Sequence, residues 1–452
     1  MSEAMRDRRL GNLSTPDSVQ DLQTALHAKA KDEPTYRFYS LYDKVYRTDV
    51  LAYAYACCKA NGGAAGVDAE RFEDIEVYGV ERWLGELAQE IREKKYRPQA
   101  VRRVYIPKPD GTARRPLSIP TIRDRTAQTA AKLVMEPIFE ADLPDEQHGY
   151  RPKRDALKAV TTVHSLLNTG HNRVVDADLS AYFDTVPHAE LLQSIARRVS
   201  NRHLLHLLKM WLETAVEEID DHGQKRRTTR YRDEKSGIPQ GSSLSPLLTN
   251  VYMRRFVLGW KSLGYERRFG ARIVTYADDL VICCKGSADE ALAAMRGIMR
   301  RLKLTVNEQK THVCRVPLQH FDFLGYTFGR CYSKRGGRAY IGAKPSRKSV
   351  KRIVQSVHMQ TARSMELLDV AEMVRQLNWK LGGWANYFKL GPISRPYRFI
   401  DAYTTRRLRR WLCKKHKHNG KGLTRYPDEY LYNTLGLIRL PKMPQRLPWA
   451  NA

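Results

Sequence analysis

Ile273-Val-Thr-Tyr-Ala-Asp278-Asp279-Leu-Val-Ile-Cys-Cys284 sets two apolar runs on either side of an acidic pair. Apolar, β-branched runs around a short polar break read as a hairpin, with the carboxylates at its tip. Asp is a favoured turn residue, so a plain turn is one reading of Tyr276-Ala-Asp278-Asp279. An ion site is the other. Two adjacent carboxylates repel, and burying them without a partner is expensive or forces protonation. A bound divalent cation removes that penalty, and oxygen-only ligands suit Mg²⁺.

A second acidic stretch favours the ion site. In Val174-Val-Asp176-Ala-Asp178-Leu179-Ser-Ala-Tyr182-Phe183-Asp184, the residues from His171 to Leu179 read as a strand with Asp178 at its end. Phosphoryl transfer with two metal ions needs carboxylates from separate elements, bridging ions about 3.5–4 Å apart. Neighbouring strands would bring positions 178 and 278 together. Asp176 and Asp178 share a face of a regular strand, so the pattern alone does not choose between them. Asp184, near the start of the following helix, reads as structural.

Further segments extend outward from this pair. Arg103-Val-Tyr-Ile-Pro-Lys108 reads as a strand, followed by a Pro109-Asp110-Gly111 turn and by Arg114-Arg115-Pro-Leu-Ser118-Ile-Pro120. A hairpin with these cations suits a polyphosphate; taken alone it reads better as a solvated basic hairpin. Ser236-Gly-Ile-Pro239-Gln240-Gly241-Ser242 combines glycines that permit close backbone approach with a hydrogen-bonding Gln240. Gly66-Val-Asp68-Ala69, Gln147-His-Gly149-Tyr150-Arg151-Pro152, Leu304-Thr-Val-Asn307-Glu-Gln-Lys310 and Phe323-Leu-Gly325-Tyr326 complete the series.

In order and spacing over roughly residues 60–330, these boxes resemble the reverse transcriptases of the group II intron branch. The resemblance implies an α+β right-hand polymerase, with fingers and an antiparallel palm sheet, followed by a helical thumb and maturase domain X. It implies Asp178, Asp278 and Asp279 as the catalytic triad, and Asp178, Leu179, Asp278 and Asp279 as ligands of two Mg²⁺ ions. Lys108, Arg115, Phe183, Gln240 and Lys310 become the deoxynucleotide pocket. Arg115 is chosen over Arg114 by alignment. Phe183 is the ring beneath the incoming sugar, where it would clash with a 2′ hydroxyl. Ser118 stands where the family has Gly, and Ala69 replaces the last Gly of the family's N-terminal box.

Composition agrees. The 452 residues are 42% hydrophobic and 28% charged, a globular balance, and the net charge of +29 calls for a polyanionic partner. Nucleic acid comes first and an anionic membrane surface second; no stretch is long and apolar enough for a spanning helix, and the reading taken is nucleic acid with no membrane partner. Cys57, Cys58, Cys283, Cys284, Cys314, Cys331 and Cys413 are odd in number and form no disulfide framework, which fits a reducing, cytoplasmic setting. The N-terminus lacks the apolar core of a secretory signal.

Charge concentrates late: residues 345–452 hold 22 Lys and Arg against 6 Asp and Glu. Leu377-Asn-Trp379-Lys-Leu-Gly-Gly383-Trp384-Ala-Asn386-Tyr387-Phe388 resembles domain X of intron-encoded proteins. Arg406, Arg407, Arg409, Arg410, Lys414 and Lys415 read as RNA contacts, while Trp379 and Trp384 read as thumb core. Cys413, His416 and His418 lack a fourth ligand and are not read as a zinc site. No paired-cysteine endonuclease segment follows domain X, so target-DNA nicking is not expected, and a primer would come from elsewhere. The organisation expected is a helical extension (1–59), fingers and palm (60–330), and basic thumb, domain X and tail (331–452). Implied partners are group II intron RNA, an RNA template with DNA primer, deoxynucleotides and target DNA. The alternatives are a domesticated reverse transcriptase in host repair or defence, and a splicing-only RNA-binding maturase. An RNA-directed RNA polymerase is disfavoured by Phe183.

Overall fold

The N-terminal helices Asp17–Asp32 and Thr48–Asn61 bury their apolar stripes against one long central helix. The computed structural model describes residues 13–107, 114–220, 223–333 and 336–442. Lys108, the Asp110–Gly111 turn and tail residues 448–450 lie outside the described residues. The first layer is α1 (Asp17–Asp32), α2 (Tyr42–Val45), α3 (Thr48–Asn61), α4 (Phe72–Tyr78) and α5 (Val80–Arg92). On α5, Trp83, Leu84, Leu87 and Ile91 recur at helical spacing and all four are buried.

β1 (Val101–Pro107) and β2 (Arg114–Ile119) form an antiparallel ladder leading into α6 (Ile122–Asp142). The Thr121 hydroxyl accepts from the Asp124 amide at 3.0 Å and so caps α6, which packs against α1 and α3. Then follow α7 (Ala156–Asn168), β3 (Arg173–Asp178), α8 (Tyr182–Thr185), α9 (His188–Ala196) and α10 (Arg202–Leu212). The polar stretch after α10 is a hairpin, β4 (Val216–Ile219) and β5 (Lys225–Thr228), which completes a sheet of order β2-β1-β4-β5. Next come α11 (Arg230–Asp233), α12 (Ser245–Ser262), α13 (Tyr265–Arg268), β6 (Ala271–Tyr276), β7 (Asp279–Cys284), α14 (Ala288–Arg301) and β8 (His312–Arg315).

The sheet of order β6-β7-β3-β8 is antiparallel throughout. Side chains alternate across it. Val175, Ala177, Leu280 and Ile282 join the large core with α6, α12 and α14. Val174, Val281 and Cys283 face α7 and a three-stranded sheet of β9 (Phe321–Phe323), β10 (Tyr326–Tyr332) and β11 (Ala339–Pro345). Three further helices, α15 (Arg347–Gln360), α16 (Val370–Tyr387) and α17 (Ser394–Lys415), enclose a core of their own.

This packing divides the chain differently from the sequence pattern. Residues 13–59 share one apolar core with α6 and the palm helices, so they are part of that body and not an appendage. A boundary at 330/331 would cut β10, whose ladder with β11 runs on to Tyr332. Trp384 packs at the thumb core as expected, but Trp379 does not: it is 79% exposed, on the opposite side of α16 from Leu377 and Leu381.

Candidate active site

The carboxylates meet through strand register. β3 and β7 pair antiparallel so that Asp178 lies directly opposite Asp279, while Asp176 faces Val281 and, on its other side, His312. Directly opposed residues carry their Cβ atoms about 4.5–5.5 Å apart, and like charges there repel. Register therefore sets Asp178, and not Asp176, opposite Asp279. Asp278 stands beside them in the two-residue link between β6 and β7, where Ala277 adopts φ 58°, in the left-handed region.

Burial together with Asp278 and Asp178 pushes the Asp279 carboxyl up to about 7. Burial, with Asp322 and Asp178 nearby, pushes Asp176 up to about 6, against the opposing pull of His312. Asp178 Oδ2 accepts Asn307 Nδ2 at 3.1 Å and Lys310 Nζ at 3.0 Å. Lys310 thus touches the acid centre itself. Among the described residues no three acidic, histidine or cysteine side chains already converge on one point. The donor set nonetheless fits a hard divalent ion. It offers carboxylate oxygens, and Leu179, with its alkyl side chain buried, can add only its main-chain carbonyl. The crowding that raises Asp279 is what a cation would relieve.

A backing strand braces the turn. Residues 146–149 run beside β6: the His148 amide donates to the Thr275 carbonyl at 2.9 Å, and the Thr275 amide to the Glu146 carbonyl at 2.8 Å. Asn250 on α12 donates Nδ2 to the Gly149 carbonyl at 2.7 Å, and Gln147 Nε2 donates to the Asn250 carbonyl at 3.1 Å. A Cβ at Gly149 would stand 2.5 Å from the Ala277 amide nitrogen, so only glycine lets the brace lie this close. Tyr150 follows, half-exposed, within electrostatic reach of both Asp278 and Arg115. Sequence reasoning took this stretch only as a box and missed Asn250 altogether, since a lone helical Asn carries no local signal.

The loop at 236–242 lies against the Phe183 segment: the Ile238 amide donates to the Phe183 carbonyl at 2.6 Å, and Gln240 Nε2 to Asp184 Oδ2 at 3.4 Å. The Ser118 amide donates to the Gln240 carbonyl at 2.6 Å, so the Ser in place of Gly keeps β2 joined to this loop. Arg115 is exposed on β2, and Phe183 is half-buried against Tyr182. Ala69, in the place of the family's Gly, sits at φ 60°, the conformation a glycine favours.

The basic run on α17 separates by helical face. Arg406, Arg410 and Lys414 recur at every fourth position and are exposed. Arg409 is withdrawn from the RNA-contact set: it is buried, ion-paired to Asp428, and donates Nε to the Tyr426 carbonyl at 2.8 Å. Arg407 is pinned to Thr361 through Oγ1 at 2.9 Å and the carbonyl at 2.8 Å. Lys415 donates to the Glu366 carbonyl at 3.2 Å and lies over the Trp411 ring. These three cations tie the domain together.

A paired-acid turn set into an antiparallel palm, between a basic hairpin and a helical thumb, defines a right-hand nucleic-acid polymerase. A model of the reverse transcriptase (RNA-dependent DNA polymerase) family matches residues 106–328, and one of the group II intron, maturase-specific domain matches residues 350–427. The chain is 31% identical over 369 residues to protein YkfC of Escherichia coli (strain K12), covering 73% of this chain and 93% of that protein. It is 30% identical over 239 residues to the group II intron-encoded protein LtrA of Lactococcus lactis subsp. cremoris, covering 52% of this chain but 38% of that protein. With nuclear intron maturase 2, mitochondrial, of Arabidopsis thaliana it shares 25% identity over 118 residues, 26% of this chain and 16% of that one. The chain belongs to the group II intron reverse transcriptase/maturase family, pairing an RNA-directed DNA polymerase domain with a maturase-specific domain. Among the described residues no helix is long and apolar enough to cross a membrane.

Proposed function

We propose that this chain copies RNA into DNA at Asp178, Asp278 and Asp279, and that its basic thumb and maturase domain grips group II intron RNA to assist splicing and mobility. The observation that carries this reading is the direct opposition of Asp178 and Asp279 beside Asp278. Two magnesium ions bound there would supply Lewis-acid stabilisation to the attacking primer hydroxyl and the leaving pyrophosphate. The remaining work belongs to side chains. Asp178 gives up its bond to Lys310 and turns its oxygens to the reaction centre. Lys310, beside Asp178, would answer phosphate charge, and Arg115 would answer it from β2. Phe183 bars a 2′ hydroxyl, while Gln240, anchored through Asp184, borders the nascent pair. Template, primer and target DNA would be bound by the same basic surfaces, in a cytoplasmic setting.

Primer extension on an RNA template with deoxynucleotides tests the proposal. Wild type should extend, Asp278→Ala should lose activity by about a thousandfold or more, and Phe183→Ala should admit ribonucleotides. Extension that survives Asp278→Ala removes the polymerase role from this site. A wild type that binds intron RNA without extending primers leaves the splicing-only reading.

A further inference from the structure

The β10–β11 hairpin, α15 and the first turns of α17 wall a cavity of about 1070 Å³, none of whose lining residues belongs to the carboxylate site. Its rim carries Arg330, Lys344, Arg347, Lys351, Arg395 and Arg398, and among the described residues no acidic side chain lines it. All six cations are exposed, and among the described residues none is paired with a carboxylate. Elsewhere in the chain comparable cations are answered locally, as Arg230 by Glu234 and Lys303 by Glu190. Tyr332 and Phe399 stand in the same wall, 62% and 57% exposed. Val350, Val354 and Pro396 give an apolar lining between them. Uncompensated positive charge asks for an anion, and exposed rings over an apolar floor ask for a flat apolar face.

We propose that this cavity binds unpaired nucleotides of an RNA strand, with bases stacked on Tyr332 and Phe399 and phosphates held by the surrounding cations. The inference rests on the reading of RNA as partner and adds the site and the strand state. A duplex keeps its bases stacked inside and can offer a concave pocket only its backbone, whereas splayed bases can enter and use the rings. An acidic peptide would satisfy the cations but leave the rings without a flat partner. Four of the six cations are arginines, whose planar fork suits phosphate and whose face suits a base. A volume of this size accommodates a nucleotide-sized ligand.

The test measures binding of the full chain to a twelve-nucleotide single-stranded RNA and to a blunt duplex of equal length, at fixed salt. Tyr332→Ala/Phe399→Ala removes two exposed rings and should leave the thermal midpoint in place. Single-strand affinity should fall about 10- to 100-fold, and duplex affinity less than about threefold. Lys351→Glu/Arg395→Glu should also weaken single-strand binding and flatten its salt dependence. Unchanged single-strand affinity in both double variants overturns the proposal, as does equal loss on strand and duplex. A polyglutamate peptide that displaces the RNA and loses affinity equally on removal of the rings assigns the cavity to an acidic protein segment and overturns it too. If wild type binds no RNA, the partner reading itself falls, a result distinct from wild-type binding that ignores the cavity variants.

Discussion

Gly149→Ala should damage catalysis without touching a catalytic side chain. An added Cβ would lie 2.5 Å from the Ala277 nitrogen and 3.1 Å from the Tyr276 carbonyl carbon, where ordinary contact begins near 3.4 Å. Something must yield by about 0.9 Å, the difference between contact and overlap. The brace is poorly placed to retreat, since the Asn250 and Thr275 bonds hold it on both sides of Gly149. The hairpin link yields, and Asp278 and Asp279 move with it. A misplacement on this scale costs about a hundredfold in rate. Steady-state primer extension should show kcat down by roughly that factor, with the nucleotide KM changed less and the protein still folded by circular dichroism. Gly297→Ala is the control: on α14 its Cβ meets nothing within 4 Å, so helix propensity should leave stability level or raised by about 0.5–1 kcal/mol, with kcat intact. A Gly149→Ala enzyme within twofold of wild type in kcat would refute the brace.

Five further outcomes are expected. Ala69→Gly should stabilise by about 0.5–1 kcal/mol in urea unfolding, because Ala69 occupies a left-handed φ of 60°. Gly66→Ala should destabilise, since its Cβ would press to 2.7 Å from Thr121 Cα; equal midpoints for both variants count against this account. Arg409→Met should lower maturase-domain stability by about 2 kcal/mol with little change in RNA affinity. The triple change Arg406→Ala/Arg410→Ala/Lys414→Ala should instead cut the salt slope of RNA binding by about 2–3 and spare stability, and a reversed pattern sinks the division of α17 into two faces. His148 is buried near Arg154, Lys158 and Arg151, and burial pulls it down to about 4. Its ordinary value is near 6.5, so its contribution is complete above that pH and is lost as pH falls from 6.5 toward 4, by about 3 kcal/mol. His148→Gln should flatten stability across that window relative to wild type; parallel pH profiles would argue against a neutral buried imidazole.

Where local chemistry is sufficient, the sequence was enough. Apolar runs around turn residues reveal the β6–β7 hairpin and its acids, and the 3.6-residue period reveals α5 with its four buried residues. The same period was available on α17 and overlooked. Thr405, Leu408, Arg409 and Leu412 share the buried face, while Arg406, Arg410 and Lys414 lie opposite, so a run that composition reads as uniformly basic is two faces. Trp379 is a similar case: Leu377, Leu381 and Ala385 mark the core stripe, and 379 lies off it.

Other features have no local signature. Asp176 and Asp178 are two residues apart on one strand, and only pairing with a strand a hundred residues later makes Asp178 the partner of Asp279. The Asn250–Gly149 brace and the cavity between the β10–β11 hairpin and the thumb also join distant segments. Periodicity and turn chemistry are written between neighbours along the chain, so sequence alone determined the elements and the residue types that could do the chemistry. Register and enclosure arise when apolar faces from distant segments share one core, and that packing alone decided which acids meet and which cations stay free to bind.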